Sequence, residues 1–162
     1  MVYVGIIGDS RCDESLGRVA YDVGRGIAER GAVLVCGGLG GVMSWSARGA
    51  RENGGTTLGM LPGTDRKDAN PYIVHAVPTG LGEARNLLVV RASDALIAIS
   101  GGYGTLSELA FALLHGKPVV GLSTWRLLRG DVEDGGVAYA GTAALAVQKV
   151  FSLMEETCGR GA

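Results

Sequence analysis

The sequence has few cysteines, and their number and spacing exclude several classes of protein. Cys12, Cys36 and Cys158 are the only three among 162 residues. An odd number of widely separated cysteines does not make a disulfide scaffold, and no Cys-x-x-Cys pair indicates a zinc site. We therefore expect no metal centre, no bound cofactor and a reduced, cytoplasmic setting.

The chain also lacks an excess of charge and a long hydrophobic run. Its 15 basic and 16 acidic residues leave a formal net charge of −1, which provides no basic surface for nucleic acid or anionic membrane. No apolar stretch approaches the roughly 18 residues that a membrane span requires. The N-terminus does not resemble a signal peptide. We therefore expect no nucleic-acid partner and no membrane association.

Two common nucleotide-binding motifs are missing as well. The Gly-x-Gly-x-x-Gly fingerprint fails at Ser107, after Gly102 and Gly104, and no loop ends in Gly-Lys-Ser or Gly-Lys-Thr. The sequence therefore predicts neither a conventional NAD-dependent enzyme nor a P-loop nucleotide hydrolase.

Short apolar segments, rich in β-branched residues, alternate with segments whose apolar residues recur at helical spacing. This alternation predicts an α/β fold of three layers, in which a mostly parallel sheet carries helices on both faces. We expect a single domain over residues 1–162, with residues 62–71 a loop, residues 123–141 irregular and the last six residues frayed. The predicted strands are 2–7, 32–36, 56–61, 72–77, 95–99 and 119–122, and the predicted helices are about 14–30, 42–53, 82–92, 106–114 and 142–156.

Three polar or glycine-rich loops follow predicted strands. Gly8 and Ser10 lie in the first loop, Gly37 and Gly38 in the second, and residues 100–105 form the third. Ligands of parallel α/β sheets bind at the carboxyl ends of the strands. We therefore expect the three loops to form one polar binding crevice.

The third loop carries the strongest signal. Gly101, Gly102 and Gly104 lie between the predicted strand 95–99 and a helix. A glycine-rich turn at a helix start exposes unpaired N–H groups next to the positive end of the helix dipole. This arrangement is typical of a site for phosphate or another anion.

Thr105 and Glu108 allow two interpretations. Thr-x-x-Glu before an apolar run is the pattern of a capping box, in which Thr105 is the N-cap and Glu108 bonds back to its N–H. Alternatively, Glu108 is a carboxylate that faces a ligand. The preceding glycines favour the second interpretation, because a cap does not need them.

The segment from Ser100 to Glu108 resembles the signature Pro-Gly-Gly-x-Gly-Thr-x-x-Glu of the Lonely Guy (LOG) proteins, often labelled possible lysine decarboxylases. The resemblance extends over about residues 2–122. It includes Gly8 and Ser10, Gly37-Gly38 before Gly41-Val42-Met43, and Arg85 nine residues before Asp94.

The resemblance implies a Rossmann-like domain that binds a nucleoside 5′-monophosphate, with the phosphate on the turn from Gly101 to Thr105. LOG enzymes hydrolyse the N-glycosidic bond and release the free base and ribose 5-phosphate. Carried over by position, Arg85 and Glu108 are the expected catalytic residues. A carboxylate stabilises the positive charge that develops on the sugar, and an arginine supplies fixed donors for the phosphate or the departing base. Lysine decarboxylase activity is not expected.

Two positions differ from the LOG signature. Ser100 stands where the family has proline, and Asn86 where a lysine usually follows the arginine. The Arg-Asn pair is more similar to a related branch that includes molybdenum cofactor carriers, which bind a pterin phosphate without turnover. That branch implies the alternative function, a non-catalytic carrier. The family resemblance also implies a homodimer or a higher homo-oligomer.

Several other residues keep two interpretations. Arg85 could instead pair with Glu83 or Glu52 on the surface. Asp9, at a strand end, either contacts a ligand or stabilises its turn. Cys12 is a reactive thiol only if its pKa is lowered. Trp45 either lines the pocket or fills the core.

Overall fold

The structure is a computed structural model and describes residues 1–159, with the side chain of Cys158 excepted. Strands and helices alternate along most of the chain. The strands are β1 Tyr3–Gly8, β2 Val33–Cys36, β3 Thr57–Leu61, β4 His75–Pro78, β5 Ala95–Ile99, β6 Val119–Leu122, β7 Leu128–Arg129, β8 Val132–Glu133 and β9 Val137–Tyr139. The helices are α1 Glu14–Glu29, α2 Val42–Glu52, α3 Asn86–Ala92, α4 Tyr103–Leu114 and α5 Ala143–Gly159.

Seven strands form one parallel sheet, in the order β4-β3-β2-β1-β5-β6-β9. The chain runs outward from β1 to β4 and then returns to place β5 on the other side of β1. This reversal makes a topological switch point at the carboxyl ends of β1 and β5, where ligands of open α/β sheets bind. The fold is the expected Rossmann-like α/β sandwich.

Alternation along β5 shows how the sheet separates two apolar layers. Ala95, Ile97 and Ile99 pack in a core with α1, α2 and α5, whereas Leu96 and Ala98 pack in a second core with α3 and α4. Successive side chains of a strand point to opposite faces, so a strand covered on both faces is apolar throughout. The continuous apolar run that predicted this strand is a consequence of burial on both sides.

Several predictions of secondary structure need correction. The fourth strand is His75–Pro78 rather than 72–77, and the helix expected over 82–92 is a 3₁₀ turn at Gly82–Arg85 followed by α3. A second 3₁₀ turn, Arg66–Asp68, lies in the loop predicted at 62–71.

A further correction concerns residues 123–141, which are not irregular throughout. They contain the antiparallel β7–β8 hairpin and β9, which extends the main sheet beside β6. The C-terminal helix also runs further than predicted, because α5 includes residues 157–159. The rest of the predicted frayed end lies outside the described residues. Among residues 1–159, no helix combines the length and apolar character that crossing a bilayer requires.

Candidate functional site

The first turn of α4 presents unpaired donors. Gly102 is the N-cap residue in extended conformation, and no side chain caps the helix. Within residues 1–159, the N–H groups of Gly102, Tyr103, Gly104 and Thr105 donate to no protein acceptor. Such groups, together with the helix dipole, form a binding position for an anion.

The loop before α4 is fixed by Asp9. One oxygen of its carboxylate accepts hydrogen bonds from the Ser100 hydroxyl, at 2.7 Å, and from the Gly101 N–H, at 3.0 Å. The Thr124 hydroxyl donates to the Ser100 carbonyl oxygen. Ser100 has a φ of 53°, a left-handed conformation that a non-glycine residue adopts at an energetic cost. The loop, which follows β5, is thus held in a strained conformation by Asp9 and Thr124, which follow the neighbouring strands β1 and β6.

The capping-box interpretation of Thr105 and Glu108 is wrong. Helix α4 begins at Tyr103, two residues before Thr105, so Thr105 lies inside the first turn. Its side chain fills the space beside Gly101, where a Cβ would stand 2.3 Å from the Thr105 Oγ1 atom. Glu108 lies in the second turn of α4, too far along the helix to bond to the N-cap N–H.

Arg85 is buried rather than paired on the surface. Only 8% of the residue is exposed, and its Nε atom has no hydrogen-bond partner. In the described part of the chain, no carboxylate oxygen lies within 4.0 Å of an Arg85 side-chain nitrogen, the limit for an ion pair. Glu52, one of the two surface partners considered, is paired with Arg48 instead. Burial lowers the pKa of Arg85, and nearby Glu108 and Cys36 oppose that shift.

Glu108 is buried to a similar degree, with 6% of the residue exposed. Burial raises the pKa of its carboxyl group from 4.5 to about 8, although nearby Arg85 lowers it. Desolvation therefore outweighs the attraction of the arginine, and the carboxyl group is largely protonated at neutral pH in the unliganded protein. A perturbed carboxyl group in a cavity is a typical feature of a functional site.

These elements enclose one cavity of about 290 Å³ at the switch point. Asp9, Glu83, Arg85 and Glu108 are its ionisable lining residues. All the predicted site residues except Gly38 and Gly101 line it: Gly8, Ser10, Gly37, Arg85, Gly102, Gly104, Thr105 and Glu108. The structure therefore brings together the three loops and the arginine that the sequence distributes over a hundred residues.

Gly38 and Gly101 do not line the cavity. Gly38 has a φ of 75°, and its carbonyl oxygen accepts hydrogen bonds from the main chain and side chain of Asn70. Gly101 has a φ of 110°, and its N–H is engaged by Asp9. Both residues shape loops in conformations that favour glycine, rather than facing the cavity.

The other candidates lie away from this chemistry. Asp94 accepts a hydrogen bond from the Tyr3 N–H, at 2.8 Å, near the start of β1. Burial raises the pKa of Cys12, with nearby Asp13 and Asp9 adding to the shift, so its thiol is not activated. Trp45 packs against the core and occupies the space beside Gly17.

Six lining residues were not among the predicted site residues: Ile6, Ile7, Asp9, Met43, Glu83 and Asn86. Met43 belonged to the Gly41-Val42-Met43 segment of the LOG resemblance but was not assigned to the site, and Glu83 was considered only as a surface partner of Arg85. Asn86 was marked by its difference from the LOG signature. The Asn86 Nδ2 atom donates to the Ser107 hydroxyl at 3.4 Å, and that hydroxyl donates to the Gly104 carbonyl oxygen at 2.6 Å. Asn86 thus connects the start of α3 with the first turn of α4. Over residues 1–159, no group of three or more histidine, cysteine or acidic side chains is arranged to hold a metal ion.

The fold and the position of the cavity define a Rossmann-like α/β protein with a cavity at the switch point. A family model refines this class, because the model of the SLOG cluster4 family, a LOG-like family, matches residues 1–148. The chain belongs to that family.

Two relatives illustrate the range of sequence similarity. An uncharacterised protein from Archaeoglobus fulgidus is 47% identical over 131 residues, which cover 80% of this chain and 85% of the relative. A cytokinin riboside 5′-monophosphate phosphoribohydrolase from Rhodococcoides fascians is 35% identical over 136 residues, covering 75% of this chain and 68% of the enzyme. The chain spans about half the length of the rice phosphoribohydrolases that it also matches.

Solved structures match over nearly the whole chain. The molybdenum cofactor binding protein of Rippkaea orientalis is 33% identical, with a TM-score of 0.87 over 94% of this chain and 97% of that one. The Moco carrier protein of Chlamydomonas reinhardtii is 35% identical, with a TM-score of 0.84 over 96% and 98%. Proteins similar to this chain are thus named both for hydrolysis and for cofactor binding.

Proposed function

We propose that this protein binds a nucleoside 5′-monophosphate in the switch-point cavity and hydrolyses its N-glycosidic bond. One observation carries the proposal: the buried carboxyl group of Glu108 and a buried Arg85, whose Nε atom has no hydrogen-bond partner, share a cavity with the unpaired N–H groups of α4. The similarity to LOG phosphoribohydrolases supports the same reaction.

The phosphate binds at the first turn of α4. The free N–H groups of residues 102–105 supply donors, and the helix dipole supplies positive potential. Gly102 and Gly104 allow a close approach because they carry no side chains. Ser10, from the loop after β1, lines the same cavity and adds a hydroxyl group. Gly101 contributes indirectly, because its N–H is bonded to Asp9 and sets the conformation of the turn.

Glu108 and Arg85 then act on the ribosyl bond. As the bond from C1′ to the base nitrogen breaks, its electron pair leaves with the base and positive charge develops on the sugar. The protonated Glu108 gives its proton to the departing base, and the resulting carboxylate stabilises that positive charge. Water adds to C1′ and returns one proton to Glu108, which yields free base and ribose 5-phosphate. Arg85 provides fixed donors for the phosphate or the base.

A second function, carriage of a molybdenum cofactor or a similar pterin phosphate, is supported by two observations. Asn86 lines the cavity where LOG enzymes usually have lysine. The molybdenum cofactor proteins match more than nine-tenths of this chain and of their own length. A carrier would use the same α4 N-terminus for the ligand phosphate without breaking a bond.

The experiment is incubation with adenosine, guanosine, cytidine and uridine 5′-monophosphates, with chromatographic detection of free base and ribose 5-phosphate. Turnover that falls as pH rises through about 8, and that is lost in Glu108→Gln, is the expected result. Thermal unfolding of the variant is the control for folding. Binding without turnover, above all of a pterin phosphate, would favour the carrier.

The proposal includes assembly as a homodimer or a higher homo-oligomer, as the family resemblance implies, and a cytoplasmic location. Light scattering of the purified protein tests the assembly directly. A monomer at micromolar concentration would contradict that part of the proposal and leave the chemistry of the cavity unaffected.

A further inference from the structure

Gly37 leaves room for the guanidinium group of Arg85. It directly follows β2 and is buried. A Cβ built on Gly37 would lie 2.2 Å from the Arg85 Nη1 atom, 2.4 Å from Nη2 and 2.5 Å from Cζ. All three distances are well below van der Waals contact, so the guanidinium group occupies the space that a side chain at position 37 would fill.

This contact differs from those of the glycines that pack helix against helix. At Gly24 and Gly49, a Cβ would stand 1.9 Å from the Ser46 carbonyl oxygen and 2.0 Å from the Tyr21 carbonyl oxygen. Those obstacles are main chain and cannot move without separating α1 from α2. The obstacle at Gly37 is the end of a flexible side chain, and Gly37 does not have a positive φ. The fold therefore accepts alanine at position 37 only if the guanidinium group moves.

Within the described residues, no hydrogen bond fixes the guanidinium group of Arg85. The Arg85 Nε atom has no partner, and no carboxylate lies within ion-pairing distance. Packing against Gly37 is therefore a contact that restricts where the Arg85 donors lie relative to Glu108 and the cavity. Ordinary van der Waals contact begins at 3.4 Å, so an alanine methyl group would displace the head group by about 1 Å or more.

We propose that Gly37 is a positioning residue for Arg85 rather than a binding residue for phosphate. The lack of a side chain at this position provides the surface on which the guanidinium group lies. The inference deepens the proposed function, since it specifies how the arginine of that site is held in place.

The test combines Gly37→Ala, Arg85→Ala and the double variant, with Gly141→Ala as the matched control because a Cβ there meets nothing within 4 Å. A shift of about 1 Å in a positioned group lowers turnover by on the order of 100-fold. We therefore expect Gly37→Ala to lower kcat by roughly that factor with a nearly unchanged midpoint of urea unfolding. In the Arg85→Ala background, Gly37→Ala should have no further effect, because the group that it displaces is absent.

Two measurements test the positioning role of Gly37 without any substrate. A crystal structure of Gly37→Ala should show the guanidinium group displaced. A carboxyl NMR titration should show the pKa of Glu108 raised further, because Arg85 normally lowers it. A guanidinium group that stays within about 0.5 Å of its original position, together with an unchanged Glu108 titration, would overturn the inference. If those two changes occur but no nucleotide is hydrolysed, the proposed reaction fails and the positioning role stands.

Discussion

Replacement of Glu108 by glutamine tests whether the carboxyl group is held in its neutral form. Glutamine has nearly the same shape and cannot ionise. In the folded protein, burial raises the pKa of Glu108 from 4.5 to about 8. A raised carboxyl pKa means that the folded state holds the proton more tightly than the unfolded state. Its contribution to stability is therefore complete below about pH 4.5 and is lost as the pH rises through about 8.

The magnitude follows from the size of the shift. Each pKa unit corresponds to about 1.36 kcal/mol, so wild-type protein should lose on the order of 4 kcal/mol through this group between pH 5 and pH 9. Because glutamine cannot ionise, Glu108→Gln does not lose this free energy as the pH rises. The variant should match wild type at pH 5 and exceed it by several kcal/mol at pH 9.

Urea unfolding at pH 5, 7 and 9 measures the difference. Glu83→Gln, which removes an exposed carboxylate from the rim of the same cavity, is the control for a change of charge alone. A difference between Glu108→Gln and wild type that stays constant from pH 5 to pH 9 would refute the reasoning. It would mean that Glu108 ionises as readily in the folded protein as in the unfolded chain.

Three further predictions concern the cavity and the residues that hold the N-terminus of α4. Asn86→Lys should tighten binding of adenosine monophosphate about fivefold, on the order of 1 kcal/mol, because it adds a cation to the lining; unchanged affinity by calorimetry would contradict this. Ser100→Pro should destabilise the protein by about 3 kcal/mol or more in urea unfolding, because proline cannot adopt a φ of 53° or replace the N–H bond to Leu122; a loss below about 1 kcal/mol, or an equal loss in Ser100→Gly, would argue against it. The Trp125 indole N–H donates to the Gly102 carbonyl oxygen at 3.1 Å, so ligand binding should change tryptophan emission in a Trp45→Phe background; binding seen by calorimetry with constant emission would contradict it.

Much of the fold could be predicted because strands covered on both faces are apolar throughout. The segments that became β1, β2, β5 and β6 are short apolar runs that end at glycine, proline, serine or charged residues. Strand β9 could not be found in this way. It has only three residues, and the segment before it is rich in glycine and charge, so its pairing with β6 depends on the tertiary structure.

The glycine-rich turn before α4 could be located from the sequence, but its detailed geometry could not. Thr105 and Glu108 have the spacing of a capping box, yet the helix starts at Tyr103 with Gly102 as N-cap. Spacing alone does not determine which residue starts a helix, because Tyr103 and Gly104 can themselves be helical. The Asp9 carboxylate completes the explanation, since it bonds to the Ser100 hydroxyl and fixes the loop from another strand.

The burial of Arg85 likewise could not be predicted from the local sequence. A charged residue close to other polar residues, here Glu83 and Asn86, normally lies on the surface, and pairing with Glu83 or Glu52 was a reasonable alternative. Its burial depends on the end of β2, where Gly37 leaves room for the guanidinium group. Only the family resemblance marked this arginine as functional, and it gave no reason for the position of the head group.

The most direct test of the whole account is a crystal structure of Glu108→Gln soaked with adenosine 5′-monophosphate, since the variant should bind the nucleotide without consuming it. The account predicts phosphate oxygens about 2.7–3.2 Å from the N–H groups of residues 102–105, with the ribose beside Arg85 and position 108. A nucleotide bound elsewhere, with those N–H groups unoccupied at saturating concentration, would contradict the central claim that the α4 N-terminus binds the ligand phosphate.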